Sequence, residues 1–226
     1  MTATIPNQQT SQIIYPTGDG TPVAETFDHL YALLITLEVL RQYLKGQQAI
    51  VLGNQFLYYA QGLPNMRVAP DVMVIFDVEP GGRDNYKIWE EGSVPAVIFE
   101  MTSKGTRQKD EISKYDLYEA MGVLEYWQFD PKGEWISDRL RGYRLEDDTY
   151  KPITDSISQI LSLRLTTADA LIEFYELDTG KKLLIPDELK ERADQEAQRA
   201  DKAEAELEAL KAKLKSKGIE LDDELA

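Results

Sequence analysis

The sequence predicts an α/β fold, a mixed sheet flanked by helices, followed by a coiled-coil-like C-terminal helix. Three features predict it. Leu30, Leu33, Leu34, Leu37, Leu40 and Leu44 recur at three- and four-residue steps, the period of an amphipathic helix. Two short runs, Val72-Met73-Val74-Ile75-Phe76 and Ala96-Val97-Ile98-Phe99, are apolar at consecutive positions and read as strands buried on both faces of a sheet. After Pro186 the composition turns to Ala, Glu, Lys and Arg. There Leu189, Ala193, Glu196, Ala200, Ala203, Leu207, Leu210 and Leu214 alternate steps of four and three, a heptad seam.

The elements follow in order. Residues 1–22 are polar and rich in turn formers, an arm ahead of a first helix over 26–44. Residues 49–52 and 55–60 fit a hairpin, because Gly53-Asn54 supplies the positive φ angles of a two-residue turn. Strands are predicted over 71–76 and 96–102, with a loop over 77–95 rich in Gly, Pro and charge. A helix over 106–121 ends at Gly122, and a strand over 124–129 stops at Asp130-Pro131. Shorter strands fall near 135–145 and 159–165, and a short helix over 167–175. This order makes residues 1–185 one α/β domain and residues 186–226 a helical tail. The tail seam, broken by Glu196, suits a homodimer or higher homo-oligomer, and a solvated single helix is the other reading.

Composition narrows the chemistry. The 226 residues contain no cysteine, which excludes disulfides, thiolate catalysis and Cys-ligated metal sites. His29 is the only histidine, so a Ser-His-Asp triad would have to use it; beside the Leu30/Leu33 face it reads as a partly buried structural residue. Trp89, Trp127 and Trp135 read as core or interface. No apolar run is long enough for a membrane span, and the start lacks the parts of a signal peptide, so a cytoplasmic protein is expected. The net charge of −15 opposes passive DNA binding, which needs a basic groove, a bound metal or a partner to overcome it.

Two carboxylates stand where carboxylates are costly. Asp71 opens one buried run and Glu100 interrupts the other, and an ionised carboxylate there needs a cation or a hydrogen-bond set. A divalent metal supplies that compensation, and paired carboxylates on Mg²⁺ serve phosphodiester hydrolysis. Asp after Pro also commonly caps a turn, so Asp71 carries both readings. Lys114 falls within the apolar arc of the following helix. It either snorkels past Tyr118 or reaches toward the carboxylates to orient a nucleophilic water. Arg83, Lys87, Lys104, Arg107 and Lys109 flank this region as a phosphate-binding rim, interrupted by Asp84, Glu90 and Glu91.

The order Asp71, then Glu100-Met101-Thr102, resembles the PD-(D/E)XK motif of restriction-endonuclease-like nucleases. More closely, Pro70-Asp71-Val72-Met73-Val74, Phe99-Glu100-Met101-Thr102-Ser103, Asp110 with Lys114 and Tyr118, and Gly122-Val123-Leu124-Glu125-Tyr126-Trp127 before Asp130-Pro131 resemble the Uma-two-type restriction-endonuclease family, abundant in cyanobacteria. The resemblance spans residues 24–131. It implies a restriction-endonuclease-like sheet and Mg²⁺-dependent (or Mn²⁺-dependent) cleavage of DNA. Asp71 and Glu100 would hold the metal, the Met101 backbone carbonyl would aid them, and Glu25 would lie near it. Glu25 could equally be a helix-start carboxylate favoured by the dipole. The motif's lysine position holds Thr102, so Lys114, or else Lys104, would take the lysine's part, with Lys104 and Arg107 on substrate. Two other functions fit the residues, a noncatalytic interaction scaffold and a hydrolase of another phosphate ester.

Overall fold

A computed structural model of the chain describes residues 13–20, 25–103 and 113–217. The chain forms two compact units, residues 1–183 and 184–226. In the first, α1 spans Phe27–Tyr43, and the Thr26 side-chain oxygen accepts the His29 N–H at 3.4 Å, satisfying a free donor of the first turn. Its buried face is Ala32, Leu33, Thr36, Val39 and Leu40, while Leu30 and Leu34 are exposed. The packed stripe is thus rotated from the leucine seam toward smaller residues, which let the helix approach the sheet.

Strand β1 (Ala49–Leu52) is followed by β2 (Leu57–Tyr58), β3 (Arg67–Val68) and β4 (Val72–Phe76). The hairpin expected at Gly53-Asn54 does not form. β1 pairs antiparallel with β4, and β2 joins a separate small sheet with β3 and with β5 (Tyr86–Lys87). Asn54 does take a positive φ of 53°, but its N–H donates to the carbonyls of Pro70 (3.0 Å) and Asp71 (3.3 Å). A Cβ on Gly53 would stand 3.0 Å from the Asp71 carbonyl oxygen, so the glycine permits a close backbone approach where a hairpin turn was expected.

The 77–95 segment is not simply a loop, since it carries β5 and a one-turn helix, α2 (Ile88–Glu91). Next come β6 (Val97–Met101) and α3 (Tyr115–Met121), which is entered through a π-type turn at Ser113-Lys114. The first part of the helix expected over 106–121 lies outside the described residues, as do Lys104, Arg107, Lys109 and Asp110. Gly122, in the left-handed region at φ 82°, closes α3. β7 (Glu125–Phe129) runs parallel to β6, a pairing that needs a crossover connection and so places α3 over the sheet.

β8 (Leu140–Glu146) and β9 (Thr149–Ile153) extend the sheet antiparallel, giving the mixed order β1-β4-β6-β7-β8-β9. A second antiparallel sheet holds β10 (Ile157–Ser158), β11 (Leu163–Ala168) and β12 (Leu171–Glu176). The short helix expected over 167–175 is therefore a β11–β12 hairpin. Its turn residue Asp169 takes φ 51°, and Asp147-Asp148 between β8 and β9 take 50° and 61°. Aspartate tolerates the left-handed region, so tight turns form here without the Asn-Gly signature that marks them in sequence.

The core lies on both faces of the large sheet. On one, Met73, Ile75, Ile98 and Tyr126 pack with Tyr118 of α3, and the rings of Tyr115, Tyr118, Tyr126, Tyr143 and Tyr150 meet edge-on or tilted, except that Tyr126 and Tyr143 stack. On the other, Phe99 stacks on Trp127 and meets Phe174 of β12 edge-on. Trp127 needs a bare neighbour: a Cβ at Gly142, its cross-strand partner, would fall 2.5 Å from the ring. Glu125, fully buried, accepts from Arg144 Nε (3.3 Å), the Gln159 N–H (2.9 Å) and Trp127 Nε1 (3.3 Å), tying the large sheet to the turn after β10.

In the second unit the described residues form one helix, α4 (Pro186–Ser216). Pro186 occupies its first turn, where no N–H is needed, and the Glu188 side chain reaches back to the Ile185 N–H at 3.0 Å. Leu189, Leu207 and Leu210 of the predicted seam are exposed, and pairs such as Arg192–Glu196 (2.9 Å) lie on the surface. Among the described residues, no helix is long and apolar enough to cross a membrane. Substituting Gly142→Ala is expected to destabilise the first unit by about 1–3 kcal/mol, the usual cost of overpacking a core. A urea titration followed by Trp fluorescence checks this, and an unchanged midpoint would contradict the Trp127 packing.

Candidate active site

Sheet register assembles the site. Val72 pairs with Phe99, so Asp71 and Glu100 come next to each other at the sheet end, on the face shared with Met73 and Ile98. Asp71 Oδ2 accepts the Met101 N–H at 2.6 Å, while Asn54 holds the carbonyl of the same aspartate. Asp71 is therefore fixed at side chain and backbone by two different elements. The bond from Met101 runs through its N–H, a contact the sequence did not suggest.

Glu100 is almost wholly buried, and both of its oxygens are engaged. Oε1 accepts from the Tyr118 hydroxyl at 2.6 Å and Oε2 from Lys114 Nζ at 2.7 Å. Both donors come from the α3 segment, one turn apart, which puts them on one face of the helix. Burial pushes the Glu100 carboxyl up to about 8, with repulsion from Asp71 adding to it, against the lowering by Lys114 and Tyr118. The Tyr118 hydroxyl is raised well above its ordinary value by its own burial and by Glu100. Thr102, at the position where the motif has lysine, is buried beside them.

A third element contributes from the other side. His29 Nε2 on α1 lies 3.7 Å from Glu25 Oε1 and 3.6 Å from Asp71 Oδ2, ion-pair distances beyond a true hydrogen bond. Glu25, His29 and Asp71 each offer a ligand atom within 4.8 Å of the others. Glu25 Oε2 and His29 Nε2 are buried atoms without a hydrogen-bond partner. Burial disfavours a charged imidazole, but Asp71, Glu25 and Glu100 together outweigh it and hold His29 above its ordinary range.

The structure thus brings together Asp71, Glu100, Lys114 and Glu25, and adds His29, to which the sequence reading gave only a packing part. The signal was present in the four-residue spacing of Glu25 and His29 at the start of a helix. The rim cations within the described residues are otherwise engaged. Arg83 makes a bidentate pair with Glu91 (2.8 and 3.0 Å), and Lys87 pairs with Glu90 at 3.0 Å. Beside His29 opens a cleft of about 170 Å³ lined by Thr26, Thr102, Ser103, Asp130, Lys132 and Glu134. A larger hollow of about 580 Å³ runs along β1 and the end of α1, and no carboxylate or histidine lines it.

The model of the Uma2 family, described as "Putative restriction endonuclease", matches residues 4–171. No curated protein matches the chain. A solved structure of a putative nuclease belonging to DUF820, from Anabaena variabilis ATCC 29413, is similar at 15% identity. The match covers 61% of this chain and 73% of that one, with a TM-score of 0.44.

The raised carboxyl gives a stability test in metal-free protein. A group whose folded value exceeds its unfolded one stabilises fully below the unfolded value, near pH 4, and loses that contribution as pH rises through about 8. Glu100→Gln removes this loss. The variant should therefore gain thermal stability relative to wild type between pH 5 and pH 9, by several degrees, in scans with chelator present. A constant difference across that range would contradict the raised value.

Proposed function

Because the chain belongs to the Uma2 family of putative restriction endonucleases, we propose that it is a divalent-metal-dependent endonuclease hydrolysing DNA phosphodiester bonds. The observation that carries this reading is the convergence of Asp71, Glu25 and His29 from two elements at the sheet end where Glu100 and Lys114 meet. The donor set fits a divalent cation. Its atoms are mostly hard carboxylate oxygens, and one of these, Glu25 Oε2, together with His29 Nε2 is buried and lacks a partner, an arrangement that a bound ion relieves. Asp71 and Glu100 would hold Mg²⁺ or Mn²⁺, with Glu25 and the Met101 backbone carbonyl beside them. When bound, such an ion supplies Lewis acidity and charge neutralisation to phosphodiester hydrolysis.

The remaining work falls to the chain. Tyr118 fixes Glu100 through its hydroxyl, and the Met101 N–H fixes Asp71, so both carboxylates keep their aim without substrate. Lys114, in the part of the motif lysine, orients the attacking water and stabilises the negative charge that develops on the phosphoryl oxygens. With a net charge of −15 the protein binds DNA weakly unless the site is metal-loaded, and Lys104 and Arg107 would contact the phosphates. The exposed leucines of α4 would pair with a second copy to form a homodimer or higher oligomer.

Asp71→Asn and Glu100→Gln are each expected to lower plasmid cleavage by on the order of 100-fold or more while the fold persists, since amides keep the size but not the charge that a hard cation needs. Lys114→Ala should slow cleavage with metal affinity little changed. Wild-type rates in either carboxylate variant would remove the nuclease reading. Deleting residues 187–226 should lower the assembly state seen by light scattering and leave the first unit folded; a full-length monomer at micromolar concentration would count against α4 pairing.

A further inference from the structure

We infer that His29 Nε2 is a metal ligand and that it makes the site select a first-row transition ion over Mg²⁺. This rests on the metal-dependent reading above and goes beyond it, because paired carboxylates alone do not set that preference. The nitrogen sits in the right company. It lies 3.6 Å from Asp71 Oδ2 and 3.7 Å from Glu25 Oε1, is buried, and hydrogen-bonds to neither. Cis ligands around a six-coordinate ion with bonds of roughly 2.1 Å are about 3 Å apart, so only small side-chain shifts separate this trio from a shared ion.

The backbone supports the same aim. Thr26 caps α1 by accepting the His29 N–H, which fixes the first turn and with it the point from which the imidazole leaves the helix. Asp71 is held independently by the Met101 N–H and by Asn54. A site whose first-turn histidine and sheet-end aspartate are both positioned before the ion arrives needs little reorganisation to close on it.

The selectivity follows from ligand chemistry. Mg²⁺ prefers oxygen donors and keeps much of its water, whereas imidazole nitrogen suits the transition ions. The chain has no cysteine and no second histidine, so softer or purely nitrogen sites are not available to it. One nitrogen among carboxylates is a set that Mn²⁺ accepts in six-coordination and Mg²⁺ accepts less well.

The test uses the full-length, chelator-stripped protein with Mn²⁺ and Mg²⁺ as probes. Calorimetric titration should show wild type binding Mn²⁺ at least about 10-fold more tightly than Mg²⁺, in line with what an altered metal ligand is worth. His29→Gln should lose most of that ratio, chiefly by weakening Mn²⁺. Pulsed EPR of the Mn²⁺-loaded wild type should show a directly coordinated ¹⁴N, which needs no variant to fold. Mn²⁺ bound without ¹⁴N coupling, or an Mn²⁺/Mg²⁺ ratio unchanged in His29→Gln, overturns the inference. If Asp71→Asn abolishes both ions in that case, the nuclease reading stands; if wild type binds neither ion, both fall.

Discussion

Burying Glu100 is the constraint from which the rest of this site follows. An ion taken out of water costs several kcal/mol even after relaxation, and the carboxylate stands at the end of a strand with almost no access to solvent. Lys114 and Tyr118 offset part of that cost, leaving the carboxyl raised, and both come from the segment that carries the chain between two parallel strands. The crossover that the β6–β7 pairing demands is thus also the element that makes the buried carboxylate tolerable. Sheet topology and site chemistry are solved by the same helix.

The second carboxylate is held in a different way. Asp71 draws its stability from the backbone: the Met101 N–H on its side chain and the Asn54 N–H on its carbonyl, with Gly53 near enough that a methyl group would press on that oxygen. Asp71 and Glu100 repel one another, and His29 with its raised proton affinity sits against Asp71 as a partial counterweight. Repulsion between the two carboxylates is therefore relieved only in part by groups of the chain itself.

Much of this was legible in residue order. The apolar runs marked β4, β6 and β7, Gly122 marked the end of α3, and carboxylates at the ends of buried runs marked Asp71 and Glu100 as residues needing compensation. Errors came where a local signal had two physical meanings. Gly53-Asn54 has the torsions of a hairpin turn and uses one of them to bring the chain against Asp71. Residues 167–175 have a helix-like pattern but fold as a hairpin around Asp169, because cross-strand pairing over six residues on each side outweighs a weak local preference.

The sequence by itself singled out the acids in apolar runs and the lysine within a helix's apolar arc and excluded thiols, while it left the lone histidine a packing part. Those are statements about type and spacing, and spacing along a chain is enough to place residues on one face of one element. Only the tertiary structure decided that α1 brings Glu25 and His29 to Asp71, while Lys114 and Tyr118 close on Glu100 from α3. These meetings join residues far apart in sequence, and they depend on strand register and helix placement, which are set by the packing of the whole core and not by any local preference.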